Sequence, residues 1–208
     1  RPTLRARYNL LTYSEQFDNA AWTRFRTSAA NTTATTDPLG GTTADKLIPS
    51  AGLNAGQVYN ASAVTTVSGV FYSTVVYVKA AELGFAFVSN NTRASSTQAG
   101  VCVNLATGGR SNEGANGTYL VTNAGNGWWA VSITTSATST SGYLEVHPLA
   151  AAGTINSYTG DGTSGIYIWG AQLTQTAVFP SNTYQRIAAA TDYATGSAFP
   201  PYLFFDGV

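Results

Sequence analysis

Residues 128–150 read WWAVSITTSATSTSGYLEVHPLA, and the period of two in this stretch decides the fold class. Trp129, Val131 and Ile133 alternate with Trp128, Ala130, Ser132 and Thr134, and Leu144 and Val146 alternate with Tyr143, Glu145 and His147. Strict alternation of apolar and polar residues is the signature of a half-buried strand, because successive side chains of a strand point to opposite faces. A short turn near residues 139–141 would fold the two runs into a hairpin. That hairpin pairs Ser136 with Tyr143, Thr134 with Glu145 and Ser132 with His147. Trp129, Val131, Ile133, Leu144 and Val146 then face a core. The opposite face gathers Trp128, Ser132, Thr134, Tyr143, Glu145 and His147, a polar surface with two large aromatics that suits a flat, hydroxylated ligand.

The same period runs through most of the chain. It predicts strands over residues 9–13, 22–33, 44–49, 57–63, 70–80, 85–90, 100–105, 118–122, 128–136, 142–149 and 166–174. Between them lie DPLGG, NEGANG, NAGNG and SYTGDGTSG, rich in Gly and Asn, which enter tight turns at positive φ with little strain. No segment carries an amphipathic helical stripe. Many short strands without intervening helices predict an all-β fold, an antiparallel sandwich or barrel. From about residue 176 the alternation loosens, and Pro180, Pro200 and Pro201 interrupt strand pairing. Residues 1–175 therefore read as one module and residues 176–208 as an extended C-terminal arm that docks on the flank of the sandwich.

Composition narrows the partners. Charged residues make up 10% of the 208, and Lys+Arg and Asp+Glu are both 10. No basic stripe is present to neutralise a phosphate backbone, so nucleic acid is not expected as a partner. No apolar run reaches membrane-spanning length and no signal-peptide pattern opens the chain, so no membrane partner is expected either. Cys102 is the one cysteine and lies in a strand-like run, AGVCVNL, where it reads as an inert buried thiol.

Five stretches carry a resemblance to a known family: NLLTYSEQFDNAAW (9–22), TTADKL (42–47), STVVYVKA (73–80), NGWWAVSI (126–133) and GDGTSGIYIWGAQL (160–173). In this order they resemble the β-jelly-roll modules of bacteriophage tail and other virion structural proteins, which are similar to the carbohydrate-binding modules of bacterial glycanases. Asn9, Leu10, Leu11, Phe17, Asp18 and Trp22 match the opening of those modules. The resemblance implies a jelly-roll sandwich, a glycan or polysaccharide partner, virion subunits as further partners, and a virion or extracellular location. The ending PPYLFFDGV resembles the join to a following concanavalin-like domain, so the chain is expected to be a module of a longer protein. The glycanase modules often hold a structural calcium through an Asp on the last strand. Here that strand has Gly170 and Ala171 instead. Asp18 supplies one oxygen where calcium takes about six to eight, so no cofactor is assigned and a structural calcium stays open.

Catalysis finds little support. A glycosidase needs two carboxylates about 5–9.5 Å apart, and Glu145 has no acidic companion on its hairpin. His147 is the single histidine, and no Gly-x-Ser-x-Gly elbow surrounds any serine. The expected protein is therefore not an enzyme but a carbohydrate-binding module. Its expected contacts are Trp128, Tyr143, Glu145 and His147, with Tyr158 and Trp169 as a second candidate group. The alternatives are a purely structural or decoration module that binds no sugar, and a polysaccharide-degrading domain built on Glu145 and His147. Large aromatics also fill sandwich cores, and that reading is the stronger one for Trp22, Trp129 and Trp169.

Overall fold

The computed structural model describes residues 8–54, 56–93, 99–153, 158–177, 184–189 and 192. Among them there are thirteen strands and no helix. Two antiparallel sheets face one another. The back sheet runs, in spatial order, β10 (Thr118–Gly125), β11 (Trp128–Ser136), β6 (Phe71–Ala80), β13 (Ile166–Thr174), β3 (Asp45–Pro49) and β2 (Thr27–Asn31). The front sheet runs β1 (Trp22–Phe25), β4 (Gln57–Asn60), β12 (Ser141–Leu149), β7 (Phe85–Asn91), β8 (Ala99–Asn104) and β9 (Arg110–Ser111), with β5 (Val64–Thr65) on the start of β12. The chain crosses repeatedly between the sheets, as in a jelly roll. The expected all-β antiparallel sandwich is the observed fold.

The core lies where the two inner faces meet. Val131 and Ile133 on β11 and Leu144 and Val146 on β12 are fully or almost fully buried there, beside Val76, Val78, Val88, Val101, Ile166 and Ile168. Each such side chain contributes about 1.5–3 kcal/mol on leaving water. Trp129 packs on this cluster while half-buried, its Nε1 donating to Leu105 O at 2.9 Å.

The expected hairpin between β11 and β12 does not form. Both edges of β11 are taken, one by β10 and one by β6, so no ladder remains for β12. Residues 137–140 arch to the other sheet instead. Ala137 N donates to Val70 O, and Thr138 N and Ser139 N both donate to Thr92 O. Core assignments survive because a strand keeps its inward residues whichever neighbour it pairs with.

Two other predicted strands also change. The run 22–33 splits at Arg26, which adopts φ 51°, so that β1 joins the front sheet and β2 the back. Residues 9–13 form no strand. Asn9 donates from Nδ2 to Ala171 O and Gln185 O, Leu10 N donates to Leu173 O, and Tyr13 turns the chain at φ 49°. The segment is thus tied down by the Asn9 side chain and by a backbone bond to β13. On β13 a bulge between Trp169 and Gln172 changes the phase of alternation, so Ile166 and Ile168 and then Ala171 and Leu173 all point inward. Gly170 sits in the bulge at φ 62°, where a Cβ would lie 3.0 Å from the Tyr77 ring.

Of the expected arm, Tyr184–Ile187 lies against the sandwich. Gln185 N donates to Gln172 Oε1, Ile187 N donates to Ser14 Oγ, and Ile187 is fully buried. Pro180 and the stretch 193–208, including PPYLFFDGV, lie outside the described residues.

Candidate functional site

The two strands expected to share one polar-aromatic face belong to different sheets, so that face divides. Trp128 points outward from the back sheet but is 0% exposed, because residues 32–44 lie over it. Its Nε1 donates to Thr36 O at 2.8 Å. Tyr143, Glu145 and His147 point outward from the front sheet. Trp128 and Tyr143 therefore lie on opposite surfaces of the sandwich and form no common platform. Trp169, named as a second candidate contact, is buried as well, in keeping with the core reading. It points outward from the back sheet yet is 1% exposed, enclosed by the rings of Tyr77 and Tyr184 at 5.2 and 4.7 Å, with Nε1 donating to Thr43 Oγ1.

The front sheet builds a different surface around Tyr143 and Glu145. Register places Tyr59 and Ser89 on either side of Glu145, Asn91 beside Tyr143, and Thr23 beyond Tyr59. Tyr59 and Tyr143 are half-buried and meet edge to face, with centroids 5.9 Å apart and planes at 82°. Gln57 and the 43%-exposed Phe25 continue the surface toward the sheet edge. The alternation of β4 and β7 was readable in the sequence; their position beside β12 was not, so Tyr59, Ser89, Asn91 and Phe25 were missed.

Glu145 is the polar centre of this surface. Asn91 Nδ2 donates to Oε1 and Ser89 Oγ to Oε2, each at 3.1 Å. Burial pushes its carboxyl up, but the adjacent His147 ring and the donors Asn91 and Ser89 outweigh that and hold it below the ordinary carboxylate value. Glu145 is thus an ionised acceptor with lone pairs to spare. His147 is not a surface group. It is 1% exposed, and among the described residues neither ring nitrogen has a hydrogen-bond partner. Its Nε2 stands 3.9 Å from Glu145 Oε2, beyond hydrogen-bond range.

Past His147 the same face turns apolar. Phe87, Cys102 and Leu149 are buried together, and half-buried Tyr158 packs on them. Tyr158 therefore covers the closed end of this face, and Cys102 is the buried free thiol expected. Gly100 leaves room for Phe87, since a Cβ there would come 2.4 Å from the ring.

A second polar cluster lies on the back sheet, in a cleft of about 300 Å³ lined by Glu15, Asp37, Thr43, Trp169, Tyr184 and Arg186. Thr43 Oγ1 lies 3.1 Å from Glu15 Oε2 and 3.0 Å from Asp37 Oδ2. One hydroxyl proton cannot serve both carboxylates. Burial pushes the Glu15 carboxyl up, while Arg186, whose Nε lies 3.2 Å from Glu15 Oε2, pulls it down. Asp37 is opposed by its burial, yet the backbone N–H groups of Gly41 and Thr43 hold it low. Its oxygens are occupied by the turn it stabilises, through Leu39 N, Gly41 N and Thr43. Among the described residues no three His, Cys, Asp or Glu side chains converge as metal ligands, and Asp18 is exposed.

No protein-family model and no curated protein matches the chain. Among solved structures it is similar to the CBM22-1–GH10 modules of a Clostridium thermocellum endo-1,4-beta-D-xylanase complexed with xylohexaose, at 18% identity and TM-score 0.45, over 86% of this chain and 30% of that one. It is similar to the enzymatically active domain of tailspike protein 4 of bacteriophage CBA120, at 13% identity and TM-score 0.45, over 81% and 22% of the two chains. It is similar also to the CBM22-2 xylan-binding domain of a Paenibacillus barcinonensis xylanase, at 10% identity and TM-score 0.45, over 79% and 98%. The chain thus spans less than a third of the length of the first two.

Proposed function

We propose that this chain is a non-catalytic carbohydrate-binding module that takes a glycan on the open end of its front sheet. One observation carries the reading: two half-exposed tyrosine rings, Tyr59 and Tyr143, stand beside an ionised carboxylate held in place by Ser89 and Asn91. Sugar rings present flat arrays of C–H groups that pack on aromatic faces and edges, while their hydroxyls donate to a fixed acceptor. A few placed polar groups on an otherwise apolar surface give orientation and selectivity. Thr23, Gln57 and Phe25 extend the contact. Among the described residues on this surface Glu145 is the one carboxylate, which supports binding rather than glycoside cleavage by an acid pair. The sequence resemblance to virion modules supports a place in a phage or prophage structural protein, in the virion or outside the cell, with other virion subunits as partners.

Affinity electrophoresis through gels containing xylan, mannan, β-glucan or dextran tests this reading. Retardation in at least one gel is expected, with loss of retardation in Tyr143→Ala. Free migration in every gel, or unchanged retardation of the variant, would contradict it.

A further inference from the structure

We infer that the surface formed by Tyr59, Tyr143 and Glu145 selects glycans that carry a free ammonium group, amino sugars whose nitrogen is not acylated, over neutral and acidic ones. The inference rests on the binding reading above and names the ligand class of the same surface. It starts from how the four glutamates of the chain are neutralised. Glu82 meets Lys46 at 2.8 Å, Glu113 meets Arg110 at 3.0 Å and Glu15 meets Arg186 at 3.2 Å. Among the described residues Glu145 meets no Lys or Arg, and its basic neighbour is the buried His147 ring at 3.9 Å. Uncharged donors hold it instead, Asn91 Nδ2 at Oε1 and Ser89 Oγ at Oε2. They fill two of about four lone-pair positions and leave the formal charge in place. The side chain keeps 12% exposure on the outer face.

The rings beside it present the same sign. Tyr59 stands directly across from Glu145 and Tyr143 two residues before it, with the two rings at 82° and their centroids 5.9 Å apart. Cross-strand neighbours lie about 4.5–5.5 Å apart at Cβ, so a group seated against the carboxylate also lies against these rings. The face of a phenol ring carries negative potential and attracts a cation within about 6 Å of its centroid. Thr23, Gln57 and Phe25 continue the surface without charge. Two guanidiniums border it and pair elsewhere: Arg26 lies over Phe25 and donates to Asn54 O, and Arg93 donates to Ser136 O at 2.6 Å.

A neutral sugar would use only the acceptor capacity of this carboxylate, which an amide oxygen supplies as well. An ammonium donating to a carboxylate makes a bond about twice as strong as a neutral pair and adds the attraction of the rings. An acylated nitrogen keeps an N–H but loses the charge. A uronate brings like charge to the surface and is repelled. The order of affinity is therefore amine, neutral, acid.

A chitosan hexasaccharide, its fully N-acetylated counterpart and a galacturonan hexasaccharide separate these cases by calorimetric titration. At about pH 6 a sugar amine holds its proton and the Glu145 carboxyl is ionised. In low salt the amine form should bind about fivefold or more tightly than the N-acetylated form, with galacturonan weakest. The ratio should shrink at about 0.5 M salt, as a solvent-exposed ion pair requires. Glu145→Gln keeps the shape of the side chain and should bring the ratio to about one. Glu113→Gln removes the same formal charge outside this surface and should leave the ratio unchanged. A ratio of one or less in the parent chain overturns the inference without any variant having to fold. A ratio that survives in Glu145→Gln, or falls equally in Glu113→Gln, overturns it as well. Retardation in the neutral gels with no amine preference removes this inference and leaves the binding reading standing. Absence of binding to all three oligosaccharides and to every gel removes both.

Discussion

The outer faces of the two sheets begin from similar sequence and end in different states. Each carries aromatics at alternating positions, Trp128, Tyr77 and Trp169 behind and Phe25, Tyr59 and Tyr143 in front. Behind, residues 32–44 and Tyr184–Ile187 lie over the rings and satisfy their N–H groups, through Thr36 O for Trp128 and Thr43 Oγ1 for Trp169. In front, the apolar half is covered by Tyr158, while among the described residues the half around Glu145 keeps partial exposure at Tyr59, Tyr143 and Glu145. What an outward aromatic does is therefore decided by what the rest of the chain lays over it.

The largest expected effect would break this comparison if it failed. Trp128→Ala should destabilise the fold by about 3–5 kcal/mol in urea unfolding, the range for emptying a buried indole site. The folded fraction should keep its polysaccharide affinity. A stable variant that loses affinity would return Trp128 to the binding surface.

A second effect lies on the inner face of the same sheet, where Asp45 stands opposite Ile168. Asp45 at the start of β3 is fully buried, accepts from Phe17 N through Oδ2, and leaves Oδ1 unpaired. Burial pushes its carboxyl from 3.8 up to about 7. The folded state then binds this proton more tightly than the unfolded chain, so stability is greatest below the unfolded value and is lost as pH rises through the folded one. Urea midpoints should fall between about pH 4 and pH 7 by an amount equivalent to at most about 4 kcal/mol. Asp45→Asn should remove that dependence. A parent chain whose midpoint rises over this window would mean the carboxylate is stabilised where it lies.

The open side predicts the reverse division between stability and binding. Tyr143→Ala should weaken polysaccharide binding by about 2 kcal/mol, or more than tenfold, as truncated aromatic anchors do. Thermal melting should move little, since the ring is half-buried and outside the main core. The smallest effect sharpens the boundary of the surface. Phe25→Ala, at the edge beyond Gln57, should cost about threefold in affinity and within about 0.5 kcal/mol in stability. A loss as large as that for Tyr143→Ala would move the centre of the site toward β1.

Much of this organisation was legible in the sequence, and the missing part has a definite cause. Period two marks which residues of a strand face inward, so Val131, Ile133, Leu144 and Val146 were readable as core. Pairing is a property of two distant segments, and alternation carries no address. The hairpin of β11 with β12 satisfied local pattern, but β6 and β10 had already taken both ladders of β11. Trp128 changed meaning for a similar reason: its outward phase was right, while its cover came from residues 32–44, which share no local pattern with it. Arg26 and Tyr13, non-glycine residues at positive φ, broke two predicted strands at places that composition does not flag. Of the candidate site, Tyr143 and Glu145 were found because they lie on the same strand, whereas Tyr59, Ser89 and Asn91 arrive from other strands.

The most direct test of the open-face account is a chemical-shift map of the labelled chain titrated with whichever polysaccharide fragment the gels identify. The account predicts perturbations concentrated on Tyr59, Ser89, Asn91, Tyr143 and Glu145, fading toward Phe25, with the Trp128 and Trp169 indole signals unmoved. Perturbations centred on those indoles and on residues 32–44, with the front sheet silent, would contradict it.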